Sequence, residues 1–269
     1  MKTVFITGAS SGIGRETAKL FCKNGWNVIA TMRRPEFEKE LNKHAHIKIL
    51  KCDVTDQDSI KQAIKEGLDY FGKIDLLINN AGFYTIGVLE SATQEQIKRQ
   101  IDTNLTGLIN TTKEILPFFR NQRSGIIINI SSIAGRTTVP LQSLYHATKW
   151  GVEGFSESLQ YELRPFNIKI KIIEPGVIKT DFYGRSMTIM ENTNLNEYDD
   201  YSQKVIKNLI SNGDNGSDPV EVAEMIFRAA NSKSNKMRYI VGKSKSIITL
   251  KAILPDRIFH HLINNAMQK

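Results

Sequence analysis

Short apolar runs alternate with longer amphipathic stretches along the first two thirds of the chain. The apolar runs have the length of strands and lie at 4–6, 28–30, 47–50, 76–78, 126–130 and 168–173. The amphipathic stretches follow a helical period and lie at 13–24, 58–70, 94–119 and 144–163. Strands that are apolar on both faces and separated by helices are typical of a parallel sheet covered by helices. The pattern therefore predicts the α/β class, with a doubly wound parallel sheet, for residues 1–269 as one domain.

The pattern loosens after Pro175. Residues 183–217 carry Asn, Asp, Ser and Gly between short apolar patches, and a connection of this length is usually functional. We expect it to form a helical lid over a substrate site. Regular structure is predicted again from Asp218, an N-cap followed by Pro at the first helical position, to about Asn231. A last strand is predicted at 237–241.

The tail, residues 243–269, is basic and amphipathic. It carries five Lys and Arg residues against a single acid, Asp256. Its apolar positions are Ile258, Phe259, Leu262, Ile263 and Met267. The tail is expected either to pack onto the domain, closing the pocket or an interface, or to lie on anionic lipid. Packing is favoured, because the cations flank the predicted helix and do not line one face, and peripheral membrane contact is the alternative.

Composition narrows the class of protein. Hydrophobic residues make up 41% and charged residues 24% of the 269 residues, which excludes a disordered or fibrous chain. The net charge of +8 favours anionic ligands. No basic stripe interleaved with aromatic residues is present, so no nucleic-acid partner is expected. No apolar run approaches the ~18 residues of a membrane span.

Cysteine and histidine usage argues against two further classes of site. The two cysteines, Cys22 and Cys52, exclude a disulfide scaffold and favour a reducing compartment. Structure begins at once at the N-terminus, without a signal peptide, so a cytoplasmic location is expected. Four histidines lie in two pairs, His44 with His46 and His260 with His261. Neither pair has a cysteine or carboxylate at ligand spacing, so no metal site is expected.

A glycine-rich turn joins the first predicted strand to the first helix. Its candidate phosphate-binding residues are Gly8, Ser10, Ser11, Gly12, Ile13 and Gly14. Glycines allow the backbone to approach a pyrophosphate, and the following helix N-terminus offers free N–H donors. The spacing Gly-x3-Gly-x-Gly differs from the common dinucleotide fingerprint, and a glycine-rich loop without a ligand is the alternative. The position between strand and helix favours a nucleotide site.

The end of the second strand indicates which dinucleotide binds. NAD enzymes place an acid here against the ribose 2′-hydroxyl, whereas an arginine accommodates a 2′-phosphate. This strand ends in Met32-Arg33-Arg34, and no acid occurs before Glu36. A guanidinium pairs with a phosphate through charge-assisted hydrogen bonds. We therefore predict NADP(H) over NAD(H), with Arg33 the better candidate than Arg34; the alternative is that the arginines only solvate a loop.

A second constellation carries chemistry. Tyr145 and Lys149 are four residues apart in a predicted helix, which places them on one face. Tyrosine has a pKa near 10, and a nearby ammonium stabilises its phenolate and lowers that pKa toward the neutral range. Tyr-x3-Lys alone is common on helices, but Ser132 lies just past a predicted strand, where open α/β sheets bind ligands. Asn104 lies in the middle of a predicted helix, a poor position for asparagine without a role.

These motifs, taken in order, resemble the short-chain dehydrogenase/reductase family. The resemblance runs from residue 2 to about residue 182. Its motifs are Thr7 to Gly14, Asp53-Val54, Asn79-Asn80-Ala81-Gly82, Asn104, Ser132, Tyr145-x3-Lys149 and Pro175-Gly176-x3-Thr180. Each piece is weak, but the joint match is specific. The resemblance implies a Rossmann-type fold, a nicotinamide dinucleotide and an oxidoreductase acting on CH–OH or C=O.

The resemblance also implies a role for each residue. Tyr145 is the general acid or base, Ser132 orients the substrate oxygen, and Lys149 holds the nicotinamide ribose and tunes Tyr145. Asn104 anchors a water that links Lys149 to solvent. The expected cofactor contacts are Asp53 and Val54 at the adenine, Asn80 at the adenosine-side ribose, Ile178 and Thr180 at the carboxamide, with Ala81, Gly82, Pro175 and Gly176 beside them. Some NADP-using members carry a basic residue before the second glycine, but Ser11 stands here, so the NADP prediction rests on Arg33 and the missing acid.

A weaker resemblance concerns the substrate. Residues 30–36 and 151–159 are similar to the hydroxysteroid- and retinol-dehydrogenase-like branch, which suggests a bulky apolar carbonyl or alcohol. The expected substrate contacts are Ser132, Phe83, Leu141, Tyr183 and Met187. The family resemblance implies a homodimer or homotetramer paired through 94–119 and 144–163. A non-catalytic dinucleotide-sensing regulator is the alternative function, disfavoured because Asn104, Ser132, Tyr145 and Lys149 are all present.

Overall fold

The central sheet has seven parallel strands. The computed structural model describes residues 1–180, 187–191, 195–242 and 245–268. The strands of the described residues, in chain order, are β1 Thr3–Ile6, β2 Asn27–Met32, β3 Ile47–Lys51, β4 Leu76–Asn79, β5 Tyr84–Gly87, β6 Gly125–Ile130, β7 Ile168–Pro175, β8 Met187–Met190 and β9 Arg238–Val241. The sheet order is β3-β2-β1-β4-β6-β7-β9, and every neighbouring pair in it is parallel. The predicted doubly wound α/β sheet is therefore confirmed.

Helices cover both faces of this sheet. The helices of the described residues are α1 Gly12–Lys23, α2 Gln57–Phe71, α3 Gln94–Ile101, α4 Gly107–Gln122, α5 Ser143–Leu163, α6 Asp199–Asp214, α7 Pro219–Asn231, α8 Lys245–Ile253 and α9 Asp256–Gln268. Successive β1 residues face opposite layers: Val4 and Ile6 pack with Phe21 of α1 and Ile226 of α7. Phe5 packs in a second cluster with residues of α2, α4 and α5. This two-sided burial explains why the strands are continuously apolar.

Capping residues set the ends of two helices where the sequence indicated them. Asp218 accepts a hydrogen bond from the Val220 backbone N–H at 2.8 Å, so α7 begins at Pro219 as predicted. The α2 helix has an equivalent cap at Asp56, which accepts from the N–H groups of Asp58 and Ser59. Each carboxylate satisfies backbone donors that the first helical turn leaves free.

The long helix predicted over 94–119 is interrupted. A π-helical segment spans Asp102–Thr106 between α3 and α4. Asn104 lies in this segment and is buried, with its side chain held by the backbone of Phe83. Periodicity alone does not reveal such a bulge, because one extra residue per turn barely alters a pattern read over many turns.

The segment predicted as a lid contains regular structure in its described part. The β8 strand pairs in parallel with β5 to form a separate two-stranded sheet, and the α6 helix contacts α9. Residues 181–186 and 192–194, including the predicted substrate residue Tyr183, lie outside the described residues. A lid that opens and closes stays a prediction.

The tail is packed against the domain through one side of α9. Phe259 and Met267 are buried, and the Asn208 side-chain amide of α6 donates to the Met267 carbonyl at 2.9 Å. Ile258 and Leu262 are about half exposed, so the prediction that they too are packed is wrong. No helix in the described parts of the chain is long and apolar enough to cross a membrane.

Removal of the Phe259 ring should destabilise the protein strongly. Phe259 is 2% exposed, and truncation of a buried Phe to Ala typically costs 3–5 kcal/mol. We expect Phe259→Ala to lower the free energy of unfolding by about 3 kcal/mol in a urea titration. Its chain neighbour Ile258 is 49% exposed, and Ile258→Ala should cost about 1 kcal/mol or less. Equal losses in the two variants would contradict the observed face of α9.

Candidate active site

The predicted site residues converge on one cavity at the carboxyl ends of the strands. This cavity has a volume of about 840 Å³. Nineteen predicted residues line it: Gly8, Ser10, Ser11, Gly12, Ile13, Arg33, Asp53, Val54, Asn80, Ala81, Gly82, Phe83, Ser132, Tyr145, Lys149, Pro175, Gly176, Ile178 and Thr180. The turns after β1 and β4 meet here, where the strand order reverses, which is the ligand site of open α/β sheets.

The glycine turn is shaped for close approach. Gly8 has φ +68°, and a Cβ there would lie 2.8 Å from the Ala81 Cα, so only glycine fits. The Asn80 amide donates to the carbonyls of Thr7 and Gly8, both at 2.9 Å. This side chain therefore fastens the β4 loop to the turn and is not turned wholly toward a ligand. No acidic residue occupies the first turn of α1, so its N-terminal donors keep their attraction for an anion.

The end of β2 presents a guanidinium to the cavity. Arg33 lines the cavity, whereas Arg34 is not among its lining residues. Arg15 is paired with Glu38 at 3.0 Å and Glu40 at 3.6 Å, so these carboxylates are engaged on α1. Buried Glu38 also accepts the backbone N–H groups of Glu40 and Leu41. Glu38 and Glu40, the two acids that follow Glu36, are thus engaged by groups of the protein itself.

Lys149 is fixed beneath the Tyr145 ring. Tyr145 and Lys149 are each 7% exposed, and the Lys149 ammonium lies 5.7 Å from the centroid of the Tyr145 ring. The ammonium donates to the Ile130 carbonyl of β6 at 2.8 Å. Burial lowers the pKa of Lys149 to about 8, and the carboxylate of Glu153 opposes that shift. A cation this close to a phenol favours its phenolate form.

This pKa gives Lys149 a signature in the pH dependence of stability. The unfolded lysine titrates near 10.4, so between about pH 8 and pH 10 the unfolded chain binds more protons than the folded one. Stability contributed by this group therefore rises with pH across that window. In urea titrations from pH 7 to 10.5, the wild type should gain ~3 kcal/mol relative to Lys149→Met. A constant difference between the two proteins would show that Lys149 titrates normally.

Ser132 and Asn104 are held by backbone groups. The Ser132 hydroxyl donates to the Pro175 carbonyl at 3.3 Å and accepts from the Ala134 N–H at 3.1 Å. The Asn104 side chain pairs with both backbone groups of Phe83, accepting at 3.0 Å and donating at 2.9 Å. Asn104 does not line the cavity. It fixes the loop between β4 and β5, and Gly82 and Phe83 of that loop line the cavity.

Three other predicted residues lie behind the cavity wall. Gly14 packs against Asn80 and the turn. Leu141 and Met187 pack against the apolar cluster that contains Tyr84 and Tyr145, without lining the cavity. Their predicted contact with ligand is untested.

His146 has a structural role beside the cavity. The Val139 N–H donates to its Nε2 at 2.9 Å, so Nδ1 carries the proton and donates to the Ala134 carbonyl at 2.8 Å. Burial lowers the pKa of His146, which keeps this neutral tautomer. Through these two hydrogen bonds the His146 ring holds the loop at 134–139 against the helix that carries Tyr145. This loop forms part of the cavity wall.

The tail supplies cavity residues that the sequence did not single out as a site. Ile263, Ala266 and Met267 of α9 and Leu209 of α6 line the cavity. In the sequence, the α9 residues were indicated only by the amphipathic pattern of the tail. That pattern predicts that one face is buried but not which part of the protein it covers. Cys52 also lines the cavity, and burial raises the pKa of its thiol to about 12. Cys22 is partly buried and packs against the core.

Comparison with known proteins identifies the family. The short chain dehydrogenase family model matches residues 2–189. The chain is 36% identical over 263 residues to the 3-ketodihydrosphingosine reductase of Bacteroides thetaiotaomicron, covering 97% of this chain and 96% of the relative. It is 37% identical over 265 residues to the uncharacterized oxidoreductase YusZ of Bacillus subtilis, covering 94% of each. A short-chain dehydrogenase structure from Streptomyces avermitilis has a TM-score of 0.83 at 29% identity, covering 97% of this chain and 96% of that one.

The fold, the site and these matches define an oxidoreductase of the Rossmann type. The chain belongs to the short-chain dehydrogenase/reductase family. The family prediction made from the motifs is confirmed, whereas the hydroxysteroid- and retinol-dehydrogenase-like branch stays a prediction.

Proposed function

We propose that this protein is an NADP(H)-dependent oxidoreductase that interconverts a ketone or aldehyde with an alcohol on a bulky apolar substrate. The observation that carries the proposal is the cavity itself, because Arg33 after β2, Ser132 after β6, and Tyr145 and Lys149 of α5 all line it. No single helix or loop brings these four side chains together.

The cavity suits a nicotinamide dinucleotide. The glycine turn with positive φ at Gly8 and Gly12, and the free α1 N-terminus, fit a pyrophosphate. ElxO, a solved relative at 29% identity with a TM-score of 0.72, covering 89% of this chain and 97% of that one, is described with NADP bound. Asp53, Val54, Ile178 and Thr180 would hold the rest of the cofactor. When bound, the cofactor supplies or takes the hydride.

The chain's own residues handle the proton. In reduction, the Tyr145 hydroxyl donates its proton to the developing alkoxide, and the Lys149 ammonium stabilises the phenolate that remains. The Ser132 hydroxyl turns its one proton from the Pro175 carbonyl to the same substrate oxygen and orients that oxygen. In oxidation, the Tyr145 phenolate takes the alcohol proton. Asn104 keeps Phe83 and its loop in place beside this centre.

The substrate side of the cavity is apolar. An apolar cluster surrounds Tyr145 and draws on four elements: Tyr84 and Ile86 of β5, Tyr145 of α5, Val205 and Leu209 of α6, and Met267 of α9. Tyr84 meets Tyr145 edge to face with centroids 5.2 Å apart. Aliphatic and thioether side chains adapt to large apolar ligands. The Bacteroides relative is named for reduction of a keto derivative of dihydrosphingosine, which supports a ketone of this kind.

The test is cofactor oxidation with a panel of carbonyl compounds, with NADPH and NADH in parallel. The panel contains bulky apolar ketones, 3-ketodihydrosphingosine, aromatic aldehydes and small charged sugars. We expect a higher kcat/KM for the bulky apolar ketones and for NADPH. Faster turnover of the sugars would refute the substrate class, and faster turnover with NADH would refute the cofactor preference. Cofactor binding without turnover of any compound would favour the sensing regulator.

The proposed assembly is a homodimer or homotetramer. Large apolar side chains are exposed on the two helices expected to pair, Phe118 on α4 and Trp150 and Tyr161 on α5. An interface there would support the Tyr145 helix from the side opposite the cavity.

A further inference from the structure

A cluster of buried charges lies directly behind the Tyr145–Lys149 pair. Tyr145, Lys149, Glu153 and Glu157 follow one another at four-residue spacing, so they share one face of α5. Glu153 is 6% exposed, one helical turn beyond Lys149. The proposed chemistry uses the first two of these residues and assigns nothing to Glu153.

Glu153 is held by an arginine from the edge of the sheet. Arg238 of β9 donates through Nε to the Glu153 carboxylate at 3.0 Å and through its terminal nitrogen to Glu157 at 2.8 Å. The second carboxylate oxygen of Glu153, Oε1, is buried and accepts no hydrogen bond within the described part of the structure. The buried Glu153 carboxylate is thus paired through one of its two oxygens.

Two further charged groups complete the cluster. Glu174 of β7 is fully buried, 3.4 Å from the Nε of Arg238 and 3.4 Å from a terminal nitrogen of Arg136. Burial, then the Glu153 carboxylate, raise the pKa of Glu174, while the two arginines oppose this. With Lys149 and Glu157, the cluster has three cations and three carboxylates on α5, β7, β9 and the turn after Ser132. The protonation states of Lys149 and Glu153 therefore depend on the electrostatic potential of all six groups.

Close packing brings this cluster against the catalytic helix. The 3₁₀ turn Ile133–Gly135 follows Ser132, and a Cβ on Gly135 would lie 2.9 Å from both the Glu153 Cγ and the Lys149 carbonyl. The backbone of this turn therefore packs tightly on α5 beside Glu153. Because Lys149 and Glu153 are both buried, little room is left for screening water. In a low-dielectric site, charges one helical turn apart interact strongly.

We propose that Glu153 is a positioning residue for the reaction: its buried carboxylate keeps the Lys149 ammonium charged, and Arg238 sets how strongly it acts. The inference rests on the proposed acid–base roles of Tyr145 and Lys149. Desolvation alone drives Lys149 toward the neutral amine, which would leave the Tyr145 phenolate unsupported. Glu153 widens the pH range over which the Lys149 ammonium supports the Tyr145 phenolate. Glu157 pairs with the same arginine, but it is exposed and does not have this effect on Lys149.

The direction of the effect follows from charge. Without the Glu153 carboxylate the Lys149 ammonium is less favourable, and the Tyr145 phenolate is more favourable. The pKa values of Lys149 and Tyr145 therefore both fall. For an effective dielectric constant of about 20 and a separation of about 6–10 Å, the shift in each pKa is about one to two units.

The experiment compares pH profiles of kcat/KM for ketone reduction in matched variants. Glu153→Gln should move the alkaline limb about one to two units toward lower pH. Glu157→Gln should move it by less than about 0.3 units. Glu153→Asp keeps the charge and should restore the limb. Arg238→Gln removes the opposing cation and should move the limb toward higher pH, which provides a second test if Glu153→Gln does not fold.

A cofactor-free measurement separates this effect from catalysis. In protein labelled at lysine Cε with ¹³C, the resonance lost in Lys149→Arg reports the titration of Lys149, and Glu153→Gln should lower that midpoint. A folded Glu153→Gln with unchanged limb and midpoint overturns the inference, as does an equal shift in Glu157→Gln. Full activity in Tyr145→Phe would overturn the proposed function instead.

Discussion

Replacement of Tyr145 by Phe should nearly abolish turnover. The variant keeps the ring that packs edge to face with Tyr84 but removes the hydroxyl that carries the proton. General acid–base catalysis is typically worth 10²–10⁴ in rate, so kcat should fall by at least about 100-fold. Stopped-flow or steady-state oxidation of NADPH with the best ketone of the panel measures this loss.

Two controls make the Tyr145 result specific. The dissociation constant for NADPH, measured by fluorescence titration, should change by less than about threefold, because the lost group acts on the substrate oxygen. Tyr161→Phe on the same helix should leave kcat unchanged, since Tyr161 is 69% exposed. A Tyr145→Phe enzyme that retains more than about a tenth of wild-type kcat would show that another group moves the proton.

Replacement of Arg33 by Asp should turn the cofactor preference from NADPH toward NADH. The change removes the guanidinium that lines the cavity and introduces the acid that NAD enzymes place on the ribose. Loss of a charge-assisted bond with added repulsion should cost NADPH binding about 2–4 kcal/mol, or roughly 30- to 1,000-fold in Kd. Titration of both cofactors against both proteins gives the two ratios.

Arg34 provides the matched control for this prediction. It is adjacent in sequence and exposed, but it is not among the residues that line the cavity. Arg34→Asp should therefore change the Kd of NADPH by less than about fivefold, through the general field alone. Equal effects at the two positions would mean that net charge near β2 attracts the cofactor and that Arg33 does not read the 2′-phosphate.

The order of strands and helices was predictable because it depends on local periodicity. Residues such as Val4, Phe5 and Ile6 are apolar on both faces since each face packs on a different helical layer. The turn after β1 was predictable as well, because Gly8 needs a positive φ that other residues rarely adopt. The pairing of Tyr145 with Lys149 follows from helical spacing alone.

The roles of several polar residues were not predictable from local pattern. Asn80 was expected at a ribose, and it does line the cavity, but its amide also fastens the turns after β1 and β4 across more than 70 residues of sequence. Lys171 is buried in the middle of an apolar strand, where it donates to the carbonyls of Ala229 in α7 and of Ser232 just after that helix. Such partners are distant in sequence, and hydrogen-bond satisfaction in the interior is decided only when the elements pack.

The sequence by itself determined the parallel α/β sheet, the glycine turn, the missing acid after β2 and the Tyr145–Lys149 face, since each is encoded in spacings of a few residues. The tertiary structure decided that α9 completes the wall of the cavity through Met267 and that the Arg238 of β9 meets Glu153 behind Lys149. These contacts join segments more than 80 residues apart in the second case, and no local periodicity records them. The strength of the interactions that a charged group makes depends on its burial, and burial is a property of the assembled fold.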